Sequence, residues 1–110
     1  MSKYHNKKTE IDGILFDSKR EAEYYQELKL MQHSVDGVKS FTLQPEFILQ
    51  EEYEKDGKKY RPIIYRADFD VTYYDGRREI VDVKGVRTKD WKLKAKMFDY
   101  KYPELTLVII

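Results

Sequence analysis

The chain has 110 residues, of which 37% are charged and 41% hydrophobic, and its formal net charge is +1. This length suits one domain, residues 1–110, with a single modest core. Because there is no cysteine and no apolar run near the ~20 residues of a membrane helix, we expect a cytoplasmic protein without disulfides, thiolate metal sites or a membrane partner.

Basic residues are concentrated in the last third of the chain. Seven of them lie between Lys84 and Lys101, against two acids in the same stretch, whereas the segment from Glu46 to Asp56 is net acidic. This segregation predicts a basic face, although the net charge alone argues weakly against a nucleic-acid-binding protein.

The amino-terminal residues 1–10 are polar and basic and have no periodicity. They are expected to form a mobile arm, which is either solvated or in contact with phosphates. Ile11 to Phe16 is a short strand candidate that is interrupted by Asp12-Gly13.

A helix is predicted from about Ser18 to about Ser34. Ser18 is followed three residues later by Glu21, which has the form of a capping box. Asp36-Gly37 supplies the stop signal.

One stripe of this helix is apolar and should face the core. At 100° per residue, it is formed by four side chains: Tyr24, Tyr25, Leu28 and Met31. Glu21 lies near the middle of the stripe, whereas Glu23 points to the opposite side and Glu27 lies at the edge. The inward Glu21 has two interpretations, a helix cap or a member of a functional site.

The middle of the chain has the pattern of antiparallel strands. Phe41 to Tyr53 is strand material with an edge or a bend at Pro45, and Lys55 to Lys58 forms a turn. From Ile63 the pattern alternates strictly, which assigns two sets of residues to opposite faces. Those faces are Tyr65, Ala67, Phe69, Val71 and Tyr73 on one side, and Ile64, Arg66, Asp68, Asp70 and Thr72 on the other.

The next strand alternates in the same way. Val81 and Val83 share one face, and Ile80, Asp82 and Lys84 share the other. We expect the apolar faces to pack on helices and the acidic faces to line a groove.

A second helix is predicted to begin with Thr88 or Asp90 as its cap and to run to about Tyr100. It buries a broad stripe, which consists of Trp91, Leu93, Ala95, Met97 and Phe98. The final run LTLVII is typical of a strand buried on both faces and parallel to its neighbour. The predicted fold is therefore α/β, with the order helix, antiparallel strands, helix, strand and a mixed central sheet flanked by helices.

The turn between the two strands decides which residues share a face. A two-residue loop at Asp75-Gly76 would place the carboxylates of Asp68 and Asp82 on opposite sides of the sheet. A three-residue loop, Tyr74 to Gly76, would place Asp68 opposite Asp82, with β-carbons ~5 Å apart. Lys84 would then lie on the same face.

Two carboxylates in that position repel each other unless a cation lies between them. Asp68, Asp82 and the Val83 carbonyl could hold Mg²⁺, with Glu21 as a further ligand. Lys84 could then orient an attacking water or stabilise the transition state of phosphodiester hydrolysis. The alternative is an amphipathic hairpin with a solvated charged face. Asp70, on the same face as Asp68, is expected to be only a solvated neighbour of the site.

At these residues the chain resembles the PD-(D/E)XK nuclease superfamily, through Asp68, Asp82-Val83-Lys84 and the upstream Glu21. The phrases FDSKREAEYY, LQPEF, ADFDVTYYDG and VDVKG are similar to a family of small phage and prophage endonuclease-like proteins related to Holliday junction resolvases. The likeness covers roughly Phe16 to Met97, and Ala67 replaces the proline of the motif.

The resemblance implies a restriction-endonuclease-like core and an endonuclease that hydrolyses DNA, including branched DNA, with Mg²⁺ or Mn²⁺ and no organic cofactor. Its catalytic residues would be Glu21, Asp68, Asp82 and Lys84. A homodimer is expected, because cutting two strands needs two active sites, and a phage-encoded protein would act in the bacterial cytoplasm. DNA phosphates would be bound by basic residues near and along the second helix, namely Arg87, Lys89, Lys92, Lys94 and Lys96.

Two other functions compete with this prediction. One is a non-catalytic nucleic-acid-binding module that retains the nuclease fold. The other is an adaptor whose acidic groove and basic helix bind proteins. The non-catalytic module has no physical reason to keep a costly pair of opposed carboxylates, which favours the enzyme. The adaptor should show no change in stability with magnesium, whereas a metal site should be stabilised by it.

Overall fold

The computed structural model describes residues 8–35, 37–84 and 86–110. This part of the chain is a small α/β domain with two helices and strands that are both parallel and antiparallel. The first element is a hairpin of β1 (Thr9–Ile11) and β2 (Ile14–Phe16), joined at Asp12 and Gly13, which both have positive φ. Thr9 and Glu10 therefore belong to a strand and not to the predicted arm, of which residues 1–7 lie outside the described residues.

Helix α1 (Lys19–Met31) begins where the sequence predicts and ends earlier than expected. Ser18 is the N-cap, and its Oγ accepts a hydrogen bond from the Glu21 N–H at 3.2 Å. The predicted inward stripe is largely confirmed, since Tyr25 and Leu28 are buried, but Met31 is exposed. The helix ends at Met31, and the chain makes further turns before the next strand.

A long antiparallel ribbon follows, with one bend in it. Its outer part pairs β4 (Glu46–Gln50) with β7 (Ile63–Arg66), and its inner part pairs β3 (Val38–Leu43) with β8 (Phe69–Tyr73). The bend lies at Gln44-Pro45 in one strand and at Ala67-Asp68 in the other. Two hydrogen bonds cross it, from the Gln44 N–H to the Asp68 carbonyl at 2.9 Å and from the Ala67 N–H to the Pro45 carbonyl at 3.1 Å.

The outer end of the ribbon carries a short hairpin of β5 (Tyr53–Lys55) and β6 (Lys58–Tyr60). The predicted turn at Lys55 to Lys58 is confirmed, because Asp56 and Gly57 have φ values of 51° and 77°. This combination of two left-handed residues matches the right-handed twist of the flanking strands.

The central sheet has four strands in the order β10–β9–β8–β3. β9 (Arg78–Asp82) is antiparallel to β8, and β10 (Thr106–Ile109) is parallel to β9, as predicted. Because β10 is an edge strand, its apolar residues are only half-buried. The prediction that this strand is buried on both faces is wrong. Helix α2 (Lys89–Lys101) connects β9 to β10 and is capped by Thr88.

Two apolar cores lie on the two sides of this sheet. The α1 core includes Phe69, Val71 and Tyr73 with side chains of α1, whereas the α2 core includes Tyr65 and Ala67 with Phe98 of α2. The prediction of one face from Tyr65 to Tyr73 is therefore wrong, because the strand breaks at Asp68 and its apolar side changes there. Leu93, expected in the buried stripe of α2, is 58% exposed.

None of the helices in the described residues has the length and the apolar composition that crossing a membrane requires.

Candidate functional site

The bend in the ribbon places Asp68 between the two cores. Asp68 lies at the break immediately before β8, and its backbone N–H donates to the Val81 carbonyl at 3.0 Å. Its side chain accepts a hydrogen bond from the Val83 N–H at 2.7 Å. Asp68 is thus tied to the neighbouring strand through both its backbone and its carboxylate.

The loop between β8 and β9 has the odd number of residues that the sequence predicts. The Tyr73 N–H donates to the Arg77 carbonyl at 2.9 Å, which closes a three-residue loop with Gly76 at φ 93°. The regular ladder begins at Phe69 and Val81. Just before it, the Asp68 N–H donates to the Val81 carbonyl, so Asp68 and Asp82 are close to each other but do not form the regular cross-strand pair that was predicted. The predicted odd-numbered loop is confirmed.

Asp82 is at the end of β9 and its side chain is almost completely buried. Its Oδ2 accepts hydrogen bonds from the Tyr65 hydroxyl and, at 3.0 Å, from the Trp91 indole N–H. Burial, and then the hydrogen bond to Asp82, raise the pKa of Tyr65, so this hydroxyl remains a donor. The expectation that Asp82 lines an open groove is wrong, because this face of β9 is covered by the α2 core.

The second oxygen of Asp82 is less well satisfied. Oδ1 is buried and has no hydrogen-bond partner within the described residues, and the Lys84 Nζ is 3.4 Å away from it. A buried carboxylate oxygen without a donor is costly unless a charge lies nearby. Lys84 supplies part of that charge.

Asp68 is in an unfavourable environment for a carboxylate. Burial and the Glu21 carboxyl raise its pKa to about 9, and Asp82 adds to the effect, although the Val83 N–H acts in the opposite direction. Two acidic side chains on the α1 side of the sheet, Asp68 and Glu21, therefore face each other, and the described residues form no ion pair with either of them. Such perturbed carboxyl groups are frequent at functional sites.

Glu21 takes part in the helix cap and also lies next to Asp68. Its Oε2 accepts a hydrogen bond from the Ser18 Oγ at 3.3 Å, which belongs to the helix cap. It is also only 8% exposed and lies against Asp68, whereas Glu23 and Glu27 are exposed. The inward orientation predicted for Glu21 is confirmed.

Four of the predicted residues line one cavity of about 540 Å³, namely Glu21, Asp68, Val83 and Lys84. Lys84 also lines a second cavity of about 400 Å³, together with Tyr65 and Trp91. Its backbone is fixed by β10, because the Lys84 N–H donates to the Ile110 carbonyl at 3.1 Å. Lys84 thus lies where the two cavities meet.

The predicted nucleic-acid-binding residues fall into two groups. Lys94 lines the second cavity and lies 4.0 Å from the Asp90 carboxylate. The other members of the set are exposed and line neither cavity, namely Arg87, Lys89, Lys92 and Lys96. The structure therefore brings one of these five residues to the site.

Three residues at the site were not predicted. Tyr65 and Trp91 were assigned to apolar stripes, yet both donate to Asp82, and Arg20 lines the first cavity. Tyrosine and tryptophan carry a polar atom that usually needs a hydrogen-bond partner when it is buried. Their presence in stripes predicted to be buried is the signal that could have identified Tyr65 and Trp91. Asp70, by contrast, forms an ion pair with Arg78 at 2.6 Å, and its side chain is only 16% exposed, so the prediction that it is solvated is wrong.

The fit of a metal to these residues depends on how the carboxylates are arranged. Among the described residues, no group of three or more His, Asp or Glu side chains is set to hold a metal ion as it stands. The donor chemistry nevertheless fits a hard cation, because Asp68 and Glu21 lack a cationic partner and Asp82 Oδ1 is an unsatisfied buried oxygen. Glu21, Asp68 and Asp82 are therefore the residues that could hold one.

The fold and the site define a small single-domain α/β protein with an acidic cavity at a bent β-ribbon. Residues 1–110 match the family model DUF1064, described as "Protein of unknown function", and the chain belongs to this family. No curated protein matches the chain, and no solved structure matches it. Function must therefore be argued from the site.

Proposed function

We propose that this protein is a metal-dependent DNA endonuclease with a restriction-endonuclease-like core of the PD-(D/E)XK type. One observation carries the proposal: Glu21, Asp68 and Lys84 line the same cavity, next to Asp82 with its unsatisfied buried oxygen. These residue types match the acids and the lysine of the PD-(D/E)XK motif. The order of α1, an antiparallel β3–β8–β9 sheet, α2 and a parallel β10 supports the same core.

The proposed cofactor is Mg²⁺ or Mn²⁺, held by Asp68, Asp82 and Glu21, with Val83 beside them. When bound, such an ion lowers the pKa of water and stabilises negative charge on a phosphate. It would also relieve the repulsion between Asp68 and Glu21, which the described residues leave without a cation.

Lys84 has the position of a phosphate-binding and charge-stabilising group. Its Nζ is 3.4 Å from Asp82 Oδ1, which limits its freedom, and its side chain is 27% exposed, which leaves it accessible to a substrate. A DNA strand that passes from the first cavity to the second would bring a phosphate oxygen next to this ammonium group. Lys84 would then donate to that oxygen and stabilise the charge that develops on it.

The proposal extends to the substrate and the assembly. A homodimer would cut two strands with two sites, and branched DNA is included among the substrates because of the likeness to junction resolvases. The bacterial cytoplasm is the proposed location.

A second candidate is a nucleic-acid-binding module without catalysis. One observation favours it, namely that no three acids of the described residues are arranged to hold a metal. The two candidates predict different outcomes with the same DNA, since only the enzyme releases products that depend on a divalent cation.

The test is a cleavage assay on supercoiled, branched and single-stranded DNA with Mg²⁺, Mn²⁺ or a chelator. The variants are Lys84→Ala and Glu21→Gln, and Glu23→Gln is the matched control because it removes the same charge from the exposed side of α1. We expect cleavage by the wild type and by Glu23→Gln, and a loss of about 10²-fold or more in the two site variants.

Thermal unfolding of each variant separates a folding defect from a catalytic one. Absence of wild-type cleavage on every substrate, or equal cleavage by Lys84→Ala, would contradict the enzyme. Binding of DNA without cleavage would then favour the non-catalytic module.

A further inference from the structure

The hairpin of β5 and β6 carries no buried residue. Every residue from Gln50 to Arg61 is exposed. The radius of gyration is 16.2 Å, compared with about 13 Å for a compact domain of this length. A two-stranded hairpin that is not packed on a core is only marginally stable, so its presence here needs a reason.

The hairpin has a preformed shape. Its turn residues Asp56 and Gly57 both have positive φ, as a tight two-residue loop requires. The rings of Tyr53 and Tyr60 stack across the strands, with centroids 4.6 Å apart and an interplanar angle of 9°. A ligand would therefore meet a surface that is already ordered, which lowers the entropic cost of binding.

The two faces of the hairpin differ in charge. Tyr53 pairs with Tyr60 and Lys55 pairs with Lys58, so all four side chains lie on one face. This tyrosine–lysine face contains no acid, whereas on the opposite face Glu54 pairs with Lys59. The positive charge is thus balanced on one side only.

The tyrosine–lysine face is unfavourable for the isolated hairpin. Lys55 and Lys58 are directly opposite each other, and like charges in that position destabilise a β-ladder. The Lys58 Nζ lies 5.1 Å from the centre of the Tyr60 ring, which offsets only part of this repulsion. An anionic ligand would remove the repulsion.

We propose that the tyrosine–lysine face binds DNA, with Lys55 and Lys58 on phosphates of one strand and the two tyrosine rings against its sugars or bases. A two-stranded ribbon has the width that a DNA groove admits, and two adjacent ammonium groups suit a chain of phosphates. The inference rests on the proposed function, because it identifies a second contact with the same substrate.

The hairpin is close enough to the acidic cavity for one DNA molecule to contact both. The strand from Tyr60 to Asp68 can span at most about 29 Å, which is less than one turn of a DNA duplex, about 34 Å. One DNA molecule of two turns could therefore contact both the hairpin and the acidic cavity.

The test is DNA binding measured by fluorescence anisotropy, with a chelator present so that no cleavage occurs. The probe is a labelled duplex of about two helical turns, titrated at several salt concentrations. The double variant Lys55→Ala/Lys58→Ala is compared with Lys19→Ala/Lys39→Ala, which removes two exposed lysines outside the hairpin. Circular dichroism checks the fold, which the first variant should retain because it relieves a repulsion.

We expect the hairpin variant to bind about tenfold more weakly and its salt slope to fall by about 1.8, since each lost phosphate contact removes about 0.9. The control variant should bind as the wild type does. Equal binding by the hairpin variant, with a wild type that binds and cleaves, would overturn this inference and leave the proposed function intact. A wild type that binds no DNA would overturn both.

Discussion

The two sides of the central sheet hold their acidic residues in opposite ways. On the α2 side, Asp82 is buried and receives two hydrogen bonds from aromatic side chains and an ion pair from Lys84. On the α1 side, Asp68 and Glu21 face each other, and their donors within the described part of the chain are a backbone N–H and a serine hydroxyl. Each arrangement leaves some oxygens without a hydrogen bond, but among the described residues only Asp82 has a positive charge, that of Lys84, beside it.

This difference indicates a division of roles. A carboxylate held by Tyr65 and Trp91 is fixed in orientation and can serve as the rigid part of a site. A pair of acids without a basic partner is costly for folding, and a bound cation would compensate for it. The α2 side would therefore hold Asp82 in a fixed orientation. The acids of the α1 side would complete the metal site when a cation binds.

The largest effect is expected when a hydrogen bond to Asp82 is removed on the α2 side. In Tyr65→Phe, Asp82 Oδ2 loses one of its two donors in a buried place, which should lower the free energy of unfolding by about 1–3 kcal/mol. DNA cleavage should fall by about tenfold or more, because Asp82 is then free to turn. Chemical denaturation and the plasmid cleavage assay measure the two effects.

Tyr100→Phe is the matched control for this variant, since it removes a hydroxyl from an exposed tyrosine near the end of α2. It should leave the free energy of unfolding within about 0.5 kcal/mol of the wild type. A Tyr65→Phe protein as stable and as active as the control would mean that Asp82 needs no positioning, and the comparison between the two sides would fail.

A smaller effect of opposite sign is expected on the α1 side. Asp68→Asn keeps an acceptor for the Val83 N–H and removes the titratable acid next to Glu21. Without metal, this variant should be more stable than the wild type at pH 8 by about 0.5–2 kcal/mol, while losing cleavage activity. Urea denaturation in the presence of a chelator measures the difference.

The gain should depend on pH in a defined direction. The pKa of Asp68 is raised from 3.8 to about 9 in the folded protein, so the unfolded chain releases this proton first as the pH rises. The wild type should therefore lose stability between about pH 4 and pH 9, and the advantage of Asp68→Asn should vanish near pH 4. A difference that is the same at pH 4 and pH 8 would contradict the burial of an unpaired acid at Asp68.

Local patterns in the sequence were sufficient to predict much of the fold. The Ser18 cap, the orientation of Glu21 and the three-residue loop before Arg77 depend on residues that are close in the chain, and the structure has all three. The parallel pairing of β10 with β9 also follows the predicted order of elements.

The bend at Asp68 could not be predicted from alternation alone. Tyr65 and Phe69 have the same parity in the sequence, yet they pack in different cores because the ribbon bends between them. For the same reason Asp82 is buried under Tyr65 and Trp91 and does not line a groove. These contacts join distant parts of the chain, and a pattern within one strand contains no information about them.

The most direct test of the central claim is Mn²⁺ binding, which is measured through the electron paramagnetic resonance signal of the free ion. The wild type should reduce this signal in a saturable way, and Asp68→Asn should bind Mn²⁺ at least about tenfold more weakly. The control is Asp75→Asn, which changes an exposed aspartate paired with Arg77 and should behave as the wild type does. A wild type that leaves the signal unchanged, or equal binding by Asp68→Asn, would contradict the claim that the acids of the α1 side bind a cation.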